Sequence, residues 1–276
     1  MNAETSLHLP AGVTDPLEVK ACCAVAYQSD WARLLLGASF HPGGLALTER
    51  LGTLLELAPG VRVLDVAAGP GASAIFLAQR FGCQVIGIDY GAALIRTANT
   101  AAEAAGVGQL VRFEEGDAET LADLADGTFD AVICECAFCT FPNKRAAAQQ
   151  FMRVLRPGGR VGLNDLTRAG DVPENLRGLL AWIACIADAQ PLDEYCRYLE
   201  DAGLRVSLTE AHDDALARMV HDIRGKLLGA ELLVKLKKLD LPGADFELAK
   251  ALARAASEAV KEKRFGYALI VASKPV

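Results

Sequence analysis

Val61-Arg62-Val63-Leu64-Asp65-Val66-Ala67-Ala68-Gly69-Pro70-Gly71-Ala72-Ser73 decides the fold. An apolar, β-branched run reaches Asp65, breaks into a glycine-bearing turn, and resumes as Ala74-Ile75-Phe76-Leu77-Ala78. This reads as strand, tight turn, helix. The glycines leave no Cβ, so the backbone can turn sharply and approach a ligand, and the helix that follows points its free N–H groups into the same space. A glycine pair alone is also an ordinary αβ turn. The next strand separates the two readings. Gln84-Val85-Ile86-Gly87-Ile88-Asp89 is a second buried strand ending in an acid, about 20 residues on, where a ribose-binding carboxylate belongs.

Composition bounds what such a chain can do. At 276 residues, 52% hydrophobic and 23% charged, it can bury a large core as one elaborated domain or two small ones. The net charge of −7 supplies no basic field to collect phosphates, which argues against a nucleic-acid or anionic-membrane partner. The cluster Lys235, Lys237, Lys238 is short and reads as a solvated helix face. Apolar stretches such as residues 178–189 are too short or too interrupted to span a bilayer. Met1-Asn2-Ala3-Glu4 lacks the basic region of a signal peptide, so a cytoplasmic location is expected. In that reducing compartment the eight cysteines read as thiols, ligands or nucleophiles rather than disulfides.

Around the opening stretch, strand and helix alternate as a doubly wound parallel sheet requires. Residues 1–44 read as an N-terminal arm, loose over its first dozen residues, and a helical cap over Leu17–Leu36. The loop Ser39-Phe40-His41-Pro42-Gly43-Gly44 closes it. Residues 45–170 form the core: an amphipathic helix over Leu45–Leu57, then strands ending at Asp65 and Asp89, a helix over Gly91–Ala105, strands Val111–Glu114 and Phe129–Cys134, a helix over Lys144–Leu155 and a fifth strand over Arg160–Asp165. Residues 171–276 complete the sheet on the substrate side, with helices over Pro173–Ala189 and Asp193–Ala202, strands Leu204–Glu210 and Tyr267–Ala272, and a helical insertion at about 212–263.

This order of elements, with Asp65-Val66-Ala67-Ala68-Gly69-Pro70-Gly71 as acid-plus-glycine loop and Arg156-Pro157-Gly158-Gly159 leading into the fifth strand, resembles the class I S-adenosylmethionine-dependent methyltransferases. The resemblance covers roughly Leu45 to Asp165. It implies a Rossmann-like, seven-stranded, mostly parallel sheet, with S-adenosyl-L-methionine as cofactor and S-adenosyl-L-homocysteine as product. It also implies that Asp65, Ala67, Gly69 and Gly71 form the cofactor loop, with Asp65 fixing that loop or reaching the amino-acid end. Asp89 would accept the ribose hydroxyls, Tyr90 would stack near the adenine, Asp117 and Ala118 would flank the adenine amino group, and Glu135 would close the site after the fourth strand.

In such a sheet the reaction sits beyond the carboxyl ends of the strands. The residues arriving there are Cys134-Glu135-Cys136-Ala137-Phe138-Cys139. In extended backbone Cys134 and Cys136 share one face. Four readings are open: packing as small hydrophobes, a zinc site, which needs four ligands where only one cysteine-rich stretch exists, a nucleophile without an identifiable histidine partner, or thiols that hold a soft substrate.

A narrower resemblance favours the last. Leu17-Glu18-Val19-Lys20-Ala21-Cys22-Cys23, Val132-Ile133-Cys134-Glu135-Cys136 and Trp182-Ile183-Ala184-Cys185-Ile186-Ala187 are similar, in order, to the cysteine segments of arsenite methyltransferases. The chain departs from that family at Leu36-Gly37-Ala38-Ser39, which holds no cysteine, and its last cysteine is Cys196. The resemblance implies that Cys136 and Cys185, with one of Cys22, Cys23 or Cys139, hold trivalent arsenic as thiolates, and that the arsenic lone pair attacks the methyl without a general base. Two other readings stand beside it. One is methylation of O, N or C of a small organic metabolite, for which Glu135, His41 and Asp165 are the visible bases. The other is a non-catalytic metalloid-binding or sensor protein. His41 reads as a solvated loop residue, His212 and His221 as facing water, and Trp182 as core. Either a monomer or a homodimer is compatible with the sequence.

Overall fold

The computed structural model describes residues 15–37, 39–176, 181, 184–239 and 245–276. Among them, helices α1 (Pro16–Gln28), α2 (Asp30–Leu36) and α3 (Gly44–Leu54) precede the sheet. Its strands are β1 (Arg62–Val66), β2 (Gln84–Asp89), β3 (Val111–Glu115), β4 (Phe129–Glu135), β5 (Leu155–Arg168), β6 (Arg205–Ala211) and β7 (Phe265–Ser273). Between them run α4 (Ala72–Phe81), α5 (Ala92–Ala104), α6 (Lys144–Val154), α7 (Leu192–Asp201), α8 (Asp213–Lys235) and α9 (Phe246–Lys261). The strand order is β3-β2-β1-β4-β5-β7-β6, parallel throughout except for β7, which runs antiparallel to β5 and β6. This is the expected Rossmann-like architecture, with the helical insertion as α8 and α9. The chain winds outward in one direction from β1 to β3, then restarts at β4 on the other side. That reversal opens a crevice at the carboxyl ends of β1 and β4.

The register is fixed by side chains with no alternative place to go. Val63, Leu64 and Val66 of β1 are fully buried, as a strand covered by helices on both faces requires. Gly87 of β2 carries no side chain because the Phe113 ring occupies the position: a Cβ there would lie 2.3 Å from Phe113 Cδ1 and 2.9 Å from Ala68 Cβ. The same ring reaches the loop after β1, where a Cβ on Gly71 would lie 2.5 Å from Phe113 Cζ. Helix α3 packs equally closely, since Leu51 Cδ1 is 2.5 Å from where a Cβ on Gly162 would stand.

Three expectations need correcting. The single helix read over Leu17–Leu36 is two helices, because Ser29 adopts an extended backbone and caps α2, accepting a hydrogen bond from Ala32 N at 3.2 Å. The helix read over Pro173–Ala189 does not reach its expected ends, which are a short 3₁₀ turn at Glu174–Leu176 and turns around Cys185; Ala181 between them is helical, while 177–180 and 182–183, including Trp182, lie outside the described residues. The arm over residues 1–14 also lies outside them. Cys134 and Cys136 do not act as a same-face pair. The strand ends at Glu135, Cys136 turns with φ +54°, and Cys134 stays in the core at 0% exposure.

Gly87→Ala is expected to lower stability by about 1–3 kcal/mol, because the ring and the loop above it must shift. Gly229→Ala, on the exposed side of α8 where a Cβ meets nothing within 4 Å, is expected to raise it by about 0.5–1 kcal/mol. Urea unfolding of the two variants checks both signs.

Candidate active site

The turn after β1 lifts three backbone positions into the left-handed region, Ala67 (φ +60°), Gly69 (φ +55°) and Gly71 (φ +85°). Two hydrogen bonds tie it to β2: Ala68 N donates to Ile88 O at 3.0 Å and Gly69 N to Asp89 Oδ2 at 2.8 Å. The other Asp89 oxygen accepts from Gly91 N at 2.8 Å. Burial raises the Asp89 pKa, and these N–H groups oppose the rise.

The cavity above this turn is lined by Asp65, Ala67, Gly69, Asp89, Tyr90, Asp117, Ala118 and Glu135, eight of the nine positions expected to meet a cofactor. Gly71 is the ninth and does not line it, because its missing Cβ makes room for Phe113. The cavity fits a ligand with a cationic end. Asp65 is 2% exposed, its Oδ2 has no hydrogen-bond partner among the described residues, and burial, reinforced by Glu135 and Asp89, pushes its pKa well up. A Cβ on Gly69 would meet only Phe40 Cδ2, at 3.9 Å, and would occupy the cavity. At the opposite end Asp117 is already engaged. Lys20 of α1 reaches it at 2.7 Å and Glu119 at 2.6 Å, while Glu119 N donates to its second oxygen at 2.9 Å.

Glu135 sits under the near end as a fully occupied acceptor. Asn164 Nδ2 donates to it at 2.7 Å and the Thr48 hydroxyl at 3.0 and 3.1 Å, and Ser73 Oγ hydrogen-bonds it closely. His41 Nε2 lies 3.3 Å from it, so His41 is not solvated but 6% exposed within this cluster. Thr48, Ser73 and Asn164 carried no signal in sequence, as single hydroxyls and an amide scattered over the chain. His41 was visible only as the histidine of a loop that the fold brings over the crevice.

The thiols converge in part. Cys136 Sγ and Cys185 Sγ are 3.8 Å apart, and Cys185 Sγ lies 3.3 Å from the Cys136 carbonyl oxygen and 3.6 Å from the Tyr27 hydroxyl. Both cysteines have left-handed backbones, φ +54° and +63°. Cys139 lies behind them as a free thiol, 1% exposed, with its N–H donating to Asp165 Oδ2 at 2.9 Å and its thiol hydrogen-bonding Cys185. Hydrogen bonds from Cys136 and Cys139 make Cys185 the thiol that ionises first, and the Cys136 and Cys139 thiols are correspondingly pushed up. Cys23 lines the cofactor-side cavity, where burial pushes its thiol up to about 12, whereas Cys22 lines neither cavity. Among the described residues no group of three His, Cys, Asp or Glu side chains is arranged to hold a metal ion. Cys136 also lines a second, apolar chamber, together with Tyr27, Phe40 and Cys185.

Residues 63–159 match the family model described as a methyltransferase domain. The chain is 32% identical over 248 residues to the 27-O-demethylrifamycin SV methyltransferase of Amycolatopsis mediterranei, an alignment covering 86% of each protein. It belongs to the class I S-adenosylmethionine-dependent methyltransferases. The arsenite methyltransferase of Aquipseudomonas alcaligenes is 32% identical over 170 residues, 58% of this chain and about half (49%) of that protein. In structure, phosphoethanolamine N-methyltransferase 2 of Haemonchus contortus, in complex with phosphomonomethylethanolamine and S-adenosylhomocysteine, superposes with a TM-score of 0.78 at 16% identity, over 96% of this chain and 61% of that one. This methyltransferase is therefore an enzyme that uses S-adenosylmethionine, and the non-catalytic reading gives way. No helix among its described residues is long and apolar enough to cross a membrane.

Asp165, also buried, titrates at about 7 instead of 3.8, because desolvation outweighs the N–H groups of Cys139 and Leu166. The folded state then holds a proton that the unfolded chain has lost, so this group's contribution to stability falls as pH rises from about 4 to about 7. Asp165→Asn is expected to flatten the stability profile in that window, read as urea midpoints across it.

Proposed function

We propose that this methyltransferase acts on an organic acceptor whose nucleophilic atom sits beside Cys136. The observation that carries the reading is that Cys136, with Tyr27 and Phe40, lines both cavities, so the acidic cofactor crevice and the apolar chamber adjoin at these residues. S-adenosylmethionine supplies an electrophilic methyl on a sulfonium, which leaves readily. Asp65 is assigned to the cofactor's ammonium, because its Oδ2 is the one buried carboxylate oxygen among the described residues left without a donor. Asp89 is assigned to the ribose hydroxyls, and Tyr90 and Ala118 to the adenine. Asp117 acts through its tie to Lys20, which holds α1 over the adenine end. Glu135, fixed by Asn164, Thr48, Ser73 and His41, closes the floor and keeps water out. Tyr27 offers the acceptor a hydrogen-bonding hydroxyl at the junction. What these residues contribute is alignment of two reactants in a site closed to solvent, worth several orders of magnitude for a transfer of this kind.

A second reading, methylation of a trivalent arsenical, is favoured by one observation: the Cys136 and Cys185 sulfurs, 3.8 Å apart, are close enough to share one soft atom, with the Cys139 thiol hydrogen-bonded to Cys185 behind them. In it these thiolates hold the substrate.

Release of S-adenosylhomocysteine by the reduced protein distinguishes the two. With hydroxylated organic acceptors, turnover without arsenic that persists within about tenfold in Cys136→Ser and Cys185→Ser supports the organic reading. Turnover that requires arsenite and a thiol, and is lost in both variants, overturns it in favour of the arsenical.

A further inference from the structure

The chamber beside Cys136 specifies more than an organic acceptor, although its assignment as the acceptor site rests on that reading. It has a volume of about 480 Å³, within the range of about 300–1,000 Å³ that encloses a drug-sized molecule. An arsenite ion or an ethanolamine would leave most of it empty.

Beside core residues such as Leu166 and Phe265, much of its wall comes from two elements added to the sheet. One is the cap, through Tyr27, Ala32, Leu35 and Leu36 of α1 and α2. The other is the α8–α9 insertion between β6 and β7. Helix α9 lines it with Leu248, Leu252 and Val260 and, between them, Ala249, Ala253 and Ala256, spaced four and three residues apart and so on one face, where the short side chains leave space that larger ones would take. The small residues are the device: any larger apolar side chain at these positions would fill the space with protein.

The lining also lacks a charge partner. No lysine, arginine or histidine lines the chamber among the described residues. Its one carboxylate, Asp245, is exposed and caps α9, accepting from Leu248 N at 2.9 Å. A phosphate or diphosphate carried into such a chamber would lose its hydration with nothing to replace it, which costs several kcal/mol per charge. Of the other polar groups that line it, Ser29 is taken up by Ala26 O and Ala32 N within the cap, while Tyr27, Cys136 and Cys185 lie together on the side toward the cofactor crevice. They suit one neutral hydroxyl.

We propose that the chamber binds a neutral, lipophilic, drug-sized acceptor, with a hydroxyl at the Tyr27–Cys136–Cys185 end and its hydrocarbon skeleton against α8 and α9, and that it rejects phosphorylated acceptors. Ala253 and Ala256 set the size of that skeleton.

The test is binding, read without turnover. N-phenyl-1-naphthylamine, a neutral fluorophore that brightens in apolar surroundings, is titrated into the S-adenosylhomocysteine-saturated protein and displaced by geraniol or by geranyl diphosphate. These two competitors share a hydrocarbon and differ in the diphosphate. The expected result is a single saturable site from which geraniol displaces the probe at least about tenfold more effectively than geranyl diphosphate. Ala253→Trp and Ala256→Phe are expected to weaken probe binding at least about tenfold while S-adenosylhomocysteine titrations stay as in the parent, which shows the core folded. Equal or better displacement by the diphosphate overturns the proposal, as does probe binding that survives both variants. Neither of those results touches methyl transfer to an organic acceptor. Conversely, the expected binding combined with arsenite-dependent turnover overturns the acceptor reading and leaves a lipophile site.

Discussion

The Phe113 ring is the wedge on which the site is built. It fills the spaces that side chains on Gly71 and Gly87 would need, pressing the loop after β1 onto β2 at a fixed height. At that height Gly69 N meets Asp89 at 2.8 Å, and the loop's backbone stands open to the crevice. A turn of this shape could be satisfied by many sequences. What makes it a binding surface is that its glycines serve different ends: Gly71 makes room for the core and Gly69 makes room for a ligand.

Around that surface the protein concentrates negative charge where it is least comfortable. Asp65, Asp89 and Glu135 lie within one crevice, two of them with pKa values raised by burial, and Asp65 raised further by the other two. Such an arrangement costs folding energy in the free protein and is relieved by a ligand that brings positive charge. A molecule with an ammonium and a sulfonium has that character. The neighbouring chamber has the opposite one, apolar and without a cation among the described residues that line it, so in the proposed reading cofactor and acceptor occupy adjoining sites of opposite character.

Much of this was legible in the chain. Residues 61–89 carry strand, turn, helix and a second acid-ended strand in a spacing that few folds share, and each strand of the core appeared where periodicity put it. Eight of nine cofactor-side positions line the crevice, because local backbone geometry at strand ends dictates them. The ninth, Gly71, belongs to the turn but does not line the crevice, for a long-range reason, since Phe113, on another strand, takes the space beside it. The cysteines were harder. Cys136 and Cys185 do meet, 49 residues apart, but Cys134 is core because the strand ends one residue after it and Cys136 turns away. The Glu135 cluster and the apolar chamber left no trace in local pattern. They are assembled from Thr48, Ser73 and Asn164, and from alanines on a helix whose inner face only the tertiary structure defines.

In the proposed reading the cofactor's ammonium sits against Asp65, whose buried Oδ2 has no hydrogen-bond partner among the described residues. Calorimetric titration of S-adenosylhomocysteine, near neutral pH and in two buffers of different ionisation enthalpy, counts the protons exchanged on binding. Placing an ammonium against a carboxyl whose pKa burial has raised lowers that pKa, so binding expels a proton at pH values between the two, and the titration is repeated from about pH 5 to pH 8 to cross that interval. Proton release on binding that vanishes in Asp65→Asn is the predicted result. Binding with no proton release, or with the same release in the variant, would contradict it.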